Sequence, residues 1–227
     1  MKKRLAIIGG MGTSAGVNML IQLVAAVERK NPMNDSDFPD FIYFNVPAGG
    51  MDEHGVTDGD VIKAQLKTAL GYADDCRCHY AIVGCNTVHA FLSELQENRK
   101  VNILDMIELA CACVPKRVKK VGVLSSEQTK RLRLYDNQLQ ASGTAVIYTN
   151  EYGQSLLDSA IKAVIGNYQQ PDHCQHITEV ATRLIQQGAE VILLACTELP
   201  LVTDSRTITV PVIDAGKVTI EHALSLL

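Results

Sequence analysis

Apolar and polar positions divide the chain into two kinds of segment. Short runs rich in Val, Ile and Leu are typical of strands buried on both faces, and the longer amphipathic segments between them have the period of a helix. The apolar runs cover residues 5–8, 41–45, 81–84, 121–124, 145–148 and 191–194. The clearest amphipathic segments cover residues 16–29, 61–75, 155–165 and 178–187. This order predicts an α/β fold in which parallel sheets carry helices on both faces.

The chain passes through this plan twice. Three segments of the first half resemble three of the second half in the same order, at offsets between 109 and 116 residues. The pairs are Lys3–Gly10 with Lys119–Ser126, Tyr80–Thr87 with Val191–Glu198, and Asn102–Asp105 with Pro211–Asp214. The repeat predicts two similar three-layer lobes related by a pseudo-twofold axis, with the active site in the cleft between them. We predict a first lobe at residues 1–106, to which residues 213–227 return, and a second lobe at residues 107–212.

Composition and charge narrow the class of protein. With 47% hydrophobic and 20% charged residues, the 227-residue chain has an ordinary globular composition. Its formal charge of −4, with a densest basic stretch of only residues 116–120, predicts no nucleic-acid partner. No apolar run reaches the ~20 residues of a membrane helix, and the apolar stretch near the start is too short for a secretory signal. We therefore predict a cytoplasmic protein without a membrane partner.

The seven cysteines are predicted to be free thiols, because the number is odd and a chain of this length folds without disulfides. Two close pairs, Cys76/Cys78 and Cys111/Cys113, have one intervening residue, whereas structural zinc sites use wider spacings. The segment His173–His176 follows a predicted helix start and is interpreted as ordinary surface residues. The sequence therefore predicts no metal site.

Two further cysteines, Cys85 and Cys196, occupy matching positions of the repeat, and each follows a buried strand. Ligands bind beyond the carboxyl ends of parallel strands, so facing lobes would place one thiol on each side of a cleft. Thiols on opposite faces of a planar carbanion suit a two-base reaction, in which one removes a proton and the other delivers one. The alternative is that both cysteines are small apolar core residues.

Polar groups follow both cysteines, and a glycine-rich turn leads into the first predicted helix. Asn86 and Thr87 come after the first cysteine and Thr197 after the second, where donors and helix N-termini favour a thiolate and a bound carboxylate. The segment Gly9–Ser14 is a tight strand-to-helix turn suited to a small anion. It lacks the glycine spacing of dinucleotide sites and the GK[ST] ending of a P-loop, so no nucleotide is predicted.

Together these motifs resemble the aspartate/glutamate racemase family of cofactor-independent amino-acid racemases. The resemblance rests on Gly9–Gly12, on Cys85–Thr87 followed by His89, and on Cys196–Glu198, and it covers essentially the whole chain in the same order. It implies two α/β lobes, no pyridoxal, metal or nucleotide cofactor, an amino acid as the small-molecule partner, and a homodimer.

The same resemblance implies roles for individual residues. Cys85 and Cys196 would be the two catalytic bases, with Cys196 taking the α-proton of the L-enantiomer. Glu198 would orient or deprotonate its neighbouring cysteine, and His89 would order the loop after Cys85. The residues that would bind the substrate's α-carboxylate and amino group or close the pocket are Met11, Thr13, Asn86, Thr87 and Thr197.

For the substrate, the resemblance favours aspartate, or else glutamate. Acid-specific members carry an arginine in the loop after the second strand, whereas residues 45–54 contain none here. Lys162 lies near the place of a lysine that some members use, but could point to solvent. The alternatives are a broad-specificity amino-acid racemase, an enzyme like maleate isomerase, hydantoin racemase or arylmalonate decarboxylase, and a non-catalytic small-molecule sensor.

Overall fold

The first half of the chain forms a parallel four-stranded sheet and a small hairpin. The computed structural model describes residues 2–227. Its first half contains β1 (Arg4–Gly9), α1 (Thr13–Glu28), β2 (Asp40–Asn45), β3 (Met51–Asp52), β4 (Gly55–Val56), α2 (Gly59–Asp75), β5 (Tyr80–Val83), α3 (Leu92–Gln96), β6 (Asn102–Ile103) and α4 (Met106–Ala112). The sheet order is β2-β1-β5-β6 with every pair parallel, and β3 and β4 pair separately as an antiparallel hairpin.

The second half forms another parallel four-stranded sheet. It contains β7 (Lys120–Ser125), α5 (Glu127–Arg131), α6 (Asp136–Ala141), β8 (Ala145–Tyr148), α7 (Glu151–Ile165), α8 (Pro171–Gln186), β9 (Val191–Ala195), β10 (Val212–Asp214) and α9 (Ala215–Leu226). Its order, β8-β7-β9-β10, repeats that of the first sheet: the second, first, third and fourth strands of each sheet in chain order. This shared topology confirms the predicted α/β fold of two lobes with parallel sheets.

A continuous apolar core joins the two lobes. Leu5 and Ile7 of β1 pack in the same buried cluster as Val121 and Val123 of β7 and Leu193 of β9. Two further clusters each fill one lobe. Since burying one such side chain contributes ~1.5–3 kcal/mol, the shared cluster holds the lobes together and fixes the cleft between them.

The C-terminal helix returns to the first half of the chain. Asp214, the last residue of β10, caps α9 by accepting a hydrogen bond from Lys217 N at 3.1 Å. The helix then packs against α1 and α4, with Ile220 and Ala223 fully buried. On this basis we propose that the lobes comprise residues 1–106 with 213–227, and residues 107–212.

Several short elements were not predicted by the hydrophobic pattern. The strands of the β3–β4 hairpin have two residues each, too few to show alternation, and α3, α5 and α6 have five or six residues, too few to show a helical period. Among residues 2–227, no helix combines the length and apolar character needed to cross a membrane. The hairpin matters most, because it covers the cleft.

Candidate active site

A cavity of about 600 Å³ opens at the carboxyl ends of both sheets. The first lobe contributes the turns after β1 and β5 and the segment from β2 through the hairpin, and the second contributes the turns after β7 and β9 and part of α7. This volume suits a small molecule. The lining includes Cys85 and Cys196, so the structure places the two repeat cysteines in one cavity.

Cys85 is a buried thiol with donors in place for a thiolate. Burial, and secondarily the charge of Glu198, raises the pKa of Cys85 to about 12. The backbone N–H groups of Thr87 and Val88 and the Thr87 hydroxyl act in the opposite direction. The resting form is therefore the thiol, and these donors stabilise the thiolate when it forms.

Cys196 has a carboxylate as its hydrogen-bond partner. Its Sγ donates to Glu198 Oε2 at 3.0 Å. Burial, followed by the charge and the hydrogen bond of Glu198, raises the pKa of Cys196 well above its ordinary value. Burial also raises the pKa of Glu198, which makes this carboxylate a better proton acceptor than one on the surface. The thiol proton can thus pass to Glu198 within an existing hydrogen bond.

A threonine ties the two cysteine turns together across the cleft. Thr197 Oγ1 lies 3.2 Å from Gly84 O and 3.2 Å from Glu198 Oε2. Its single proton is shared between an acceptor of the first lobe and one of the second. Because Gly84 precedes Cys85, this contact fixes one thiol turn relative to the other.

Three buried hydroxyl groups make a second link between the lobes. Thr87 Oγ1 lies 3.1 Å from Ser126 Oγ and 3.0 Å from Thr129 Oγ1, and the last two lie 3.2 Å apart. Ser126 and Thr87 both line the cavity. Hydroxyl groups donate and accept, so this cluster can reorient toward either an anion or an ammonium group.

The glycine-rich turn after β1 lets the backbone approach Glu198 closely. Gly12 has a φ of 88°, and a Cβ there would lie 1.8 Å from Glu198 Oε1. Only glycine meets both requirements, the positive φ and the missing side chain. Gly12 also precedes α1 without a side-chain cap, so the first N–H groups of the helix have no side-chain acceptor at this position.

The β3–β4 hairpin crosses from the first lobe to the second at the mouth of the cavity. Glu53, in its turn, accepts a hydrogen bond from Lys162 Nζ on α7 at 2.7 Å. Gln128 N donates to His54 O at 3.0 Å. His54 Nδ1 lies 3.4 Å from both Glu127 Oε2 and Asp158 Oδ2, so several charged and polar contacts hold the hairpin across the cleft.

The structure divides the predicted site residues into two groups. Those that line the cavity are Met11, Thr13, Cys85, Thr87, Cys196 and Glu198. Asn86, Thr197 and His89 are buried behind the lining, where Asn86 Oδ1 accepts a hydrogen bond from Tyr135 OH. Sequence reasoning missed Glu53 and the apolar residues of α7, and it left Lys162 as a group that could point to solvent, whereas Lys162 lines the cavity mouth.

His89 supports the turn that carries Cys85. Its Nδ1 lies 2.8 Å from Cys85 O, and burial lowers the pKa of its imidazole below the ordinary value of 6.5. The native ring is neutral, so Nδ1–H donates to the carbonyl. The unfolded chain takes up a proton on His89 below about pH 6.5, and the folded chain does so only at lower pH, so stability is lost as pH falls.

We expect His89→Gln to weaken this pH dependence. Between about pH 7.5 and about pH 5.5, protonation of His89 in the unfolded state lowers the wild-type free energy of unfolding, and the variant lacks this contribution. Urea unfolding of both proteins at the two pH values measures the difference. An equal loss in both proteins would mean that His89 takes up its proton over the same pH range in the folded and the unfolded state, which would contradict the prediction.

One group of side chains has the atoms and spacing to ligate a metal ion. The ligand atoms of His54, Glu127 and Asp158 all lie within 4.8 Å of one another. None of these residues lines the cavity that contains the thiols. This group therefore lies outside the lining of the cavity that holds Cys85 and Cys196.

Comparison with known proteins agrees with this arrangement. A family model described as Asp/Glu/Hydantoin racemase matches residues 8–223. The broad specificity amino-acid racemase RacX of Bacillus subtilis (strain 168) is 26% identical over 216 residues, which cover 93% of this chain and 92% of RacX. Among solved structures, the aspartate racemase of Picrophilus torridus has a TM-score of 0.81 at 22% identity, with 98% of this chain and 94% of that chain covered. An aspartate racemase homologue from Pyrococcus horikoshii OT3 has a TM-score of 0.80 at 20% identity, with 100% and 99% covered.

The fold of two parallel-sheet lobes and the family match define the class of protein. The chain belongs to the Asp/Glu/hydantoin racemase family. It is accordingly an amino-acid racemase, which confirms the class and the activity predicted from the sequence motifs. The match extends over both cysteine turns, residues 84–87 and 195–198.

Proposed function

We propose that this chain racemises free amino acids by a two-base mechanism in which Cys85 and Cys196 act on opposite sides of the α-carbon. The observation that carries the proposal is the presence of both thiols in one cavity, each just after the third strand of its sheet. A carbanion that is deprotonated on one face and reprotonated on the other changes its configuration.

In the L to D direction, the Cys196 thiolate takes the α-proton. The electron pair of the broken C–H bond is delocalised into the substrate carboxylate, which gives an enolate-like carbanion. The Cys85 thiol then delivers its proton to the opposite face, so that a new C–H bond forms and Cys85 becomes the thiolate. The reverse direction exchanges the two roles, and one thiol is formed for each thiol consumed.

The two thiols are activated by different neighbours. Glu198 accepts the proton of Cys196 through the hydrogen bond at 3.0 Å, and this transfer generates the thiolate. The Cys85 thiolate is stabilised by the N–H groups of Thr87 and Val88. Preorganised donors in a site sheltered from water favour such charges far more than solvent does.

We propose that the α-carboxylate binds beside the N-terminus of α1. Gly12 and Thr13 line the cavity there, and the first N–H groups of a helix attract an anion. Thr87 and Ser126 contact the carboxylate or the amino group from the other side, and Met11 closes the wall. This position puts the stabilising donors on the group that receives the electron pair.

Asn86 and Thr197 are proposed to act from behind this wall. Asn86 is anchored by the hydroxyl group of Tyr135, and Thr197 is anchored by Gly84 O. Each holds the turn that carries its neighbouring cysteine. We therefore propose that these two residues position the thiols, and that direct substrate contact is left to the residues lining the cavity.

For the substrate, we propose broad specificity in place of the aspartate or glutamate specificity that the resemblance favours. The cavity has an apolar part formed by Pro47, Ala48, Met51, Ile161 and Ile165. Lys162, the lining lysine among residues 2–227, already forms an ion pair. RacX, the relative that aligns with 93% of this chain, is named as a broad specificity enzyme.

Proton NMR in D₂O with a panel of L- and D-amino acids tests the proposed reaction. We expect the α-proton signal to disappear and chiral analysis to show the other enantiomer. Both enantiomers should carry deuterium at Cα. Absence of exchange with every amino acid would contradict the proposal and would direct the assay to diacids, hydantoins and malonates. Conversion without deuterium incorporation would contradict the proton-transfer mechanism.

We also propose a homodimer that works in the cytoplasm. Support for the dimer comes from Val17 and Ile21, which are exposed one turn apart on α1. Support for the location comes from the seven cysteines, which are all free thiols, as expected in a reducing compartment. Light scattering of the purified protein measures the oligomeric state.

A further inference from the structure

The charged residues that line the cavity are mostly acidic. Asp52 and Glu53 lie at the hairpin, Glu198 lies beside Cys196, and Lys162 is the one lining residue with a cationic side chain within residues 2–227. Asp52 is held in the hairpin turn, because its Oδ1 accepts hydrogen bonds from His54 N at 2.9 Å and from Gly55 N. A second carboxylate on the substrate would therefore enter a cavity lined by three acidic side chains and one basic side chain.

Lys162 is already bound by one of these acids. Its Nζ lies 2.7 Å from Glu53 Oε1, and the Lys162 hydrogen bond is the main cause that lowers the pKa of Glu53. The Glu53 side chain is 21% exposed and the Lys162 side chain 59% exposed, so the carboxylate is the more enclosed partner. Glu53 therefore occupies the position in which a substrate carboxylate would have to lie to pair with the Lys162 ammonium group.

The surroundings of the ion pair suit an uncharged group. Ile161 and Ile165 flank Lys162 on α7, and Met51 of β3 lines the cavity close to Glu53 along the chain. An isolated carboxylate placed against these side chains would lose hydration without gaining a partner. A methyl, thioether or amide group placed there would lose far less hydration free energy.

From this arrangement we infer that the enzyme acts on amino acids whose side chains carry no carboxylate, and that Glu53 sets this specificity by occupying Lys162. The inference rests on the proposed racemase function and adds its substrate class and a specificity-determining residue. Glu53 does not take part in the proton transfers. It decides which side chains are accepted at the mouth of the cavity.

The isosteric pair asparagine and aspartate, together with glutamine and glutamate, isolates the effect of side-chain charge. For the wild-type enzyme we expect kcat/KM for each acid to be at least about tenfold below that for its amide. Exchange of the α-proton in D₂O, measured for all four L-amino acids, provides the rates. A wild-type preference for the acids would overturn the inference.

The variant Glu53→Gln tests the role of the ion pair. The amide preserves the shape of the side chain and releases the ammonium group, so the ratio of kcat/KM for aspartate over asparagine should rise about tenfold. Adding Lys162→Met to this variant should remove the gain. Because the readout is the ratio of kcat/KM for two substrates, a general loss of activity from a loosened hairpin affects both values and cancels in the ratio.

A matched control removes a carboxylate from another surface ion pair. Glu94→Gln breaks the contact of Lys63 Nζ with Glu94 Oε2, 3.2 Å apart, and changes the net charge equally. We expect it to leave the aspartate to asparagine ratio unchanged. An equal rise in both single variants, or no rise in Glu53→Gln, would overturn the inference, whereas a lack of exchange with all four amino acids and the rest of the panel would count against the racemase function itself.

Discussion

Replacing Cys85 or Cys196 with alanine is expected to lower racemisation about 10³-fold in both directions. Each turnover needs one proton removed and one delivered, and loss of a positioned acid or base costs on the order of 10²–10⁴-fold. The two variants should differ in isotope exchange. Cys85→Ala retains Cys196, so it should still exchange the α-proton of the L-enantiomer with D₂O without inversion, and Cys196→Ala should do the same with the D-enantiomer.

Cys111→Ala provides the matched control for these variants. Cys111 is as buried as the two cavity cysteines, and burial raises its pKa to about 12, as it does for Cys85. It does not line the cavity, so its loss should leave racemisation near the wild-type rate. If either cavity variant racemised as fast as Cys111→Ala, the two-base mechanism would be wrong.

The fold and the thiol pair could be predicted because both depend on repeated local patterns. A buried strand such as Val191–Ala195 needs a continuous apolar run, and the same run occurs before Cys85 and Cys196. Strand ends of parallel sheets face a common edge, so equivalent positions in two lobes indicate one shared site. The sheet order found in both halves confirms that the repeat extends to the whole four-stranded sheet.

The cross-cleft contacts could not be predicted because they join residues far apart in sequence. Glu53 and Lys162 belong to different lobes, and neither residue has a local pattern that identifies its partner. The one available signal was the turn chemistry of residues 52–55, in which an aspartate side chain accepts two backbone hydrogen bonds before a glycine at φ 142°. That signal predicts a tight turn but not the lobe on which the turn docks.

The substitution Glu198→Gln is expected to lower kcat about 100-fold near neutral pH, as loss of a general base does. The amide can still accept the Cys196 hydrogen bond, so the thiol keeps its place, but the amide cannot take the proton. Removing the carboxylate charge also removes one cause of the raised pKa of Cys196. The thiolate should then form directly as pH rises, so the deficit in kcat should shrink in alkaline solution.

The same substitution is expected to stabilise the folded protein. Because burial raises the pKa of Glu198 above 4.5, its charged form opposes folding, and stability is lost as pH rises through the folded-state pKa. The neutral amide avoids this cost, so the free energy of unfolding near neutral pH should rise. Thermal and urea unfolding, run beside the pH dependence of kcat, measure both effects. A variant that was less stable and equally inactive at every pH would identify Glu198 as a structural residue. If Glu198 is instead the proton acceptor for Cys196, the variant must be more stable, and its deficit in kcat must shrink as pH rises.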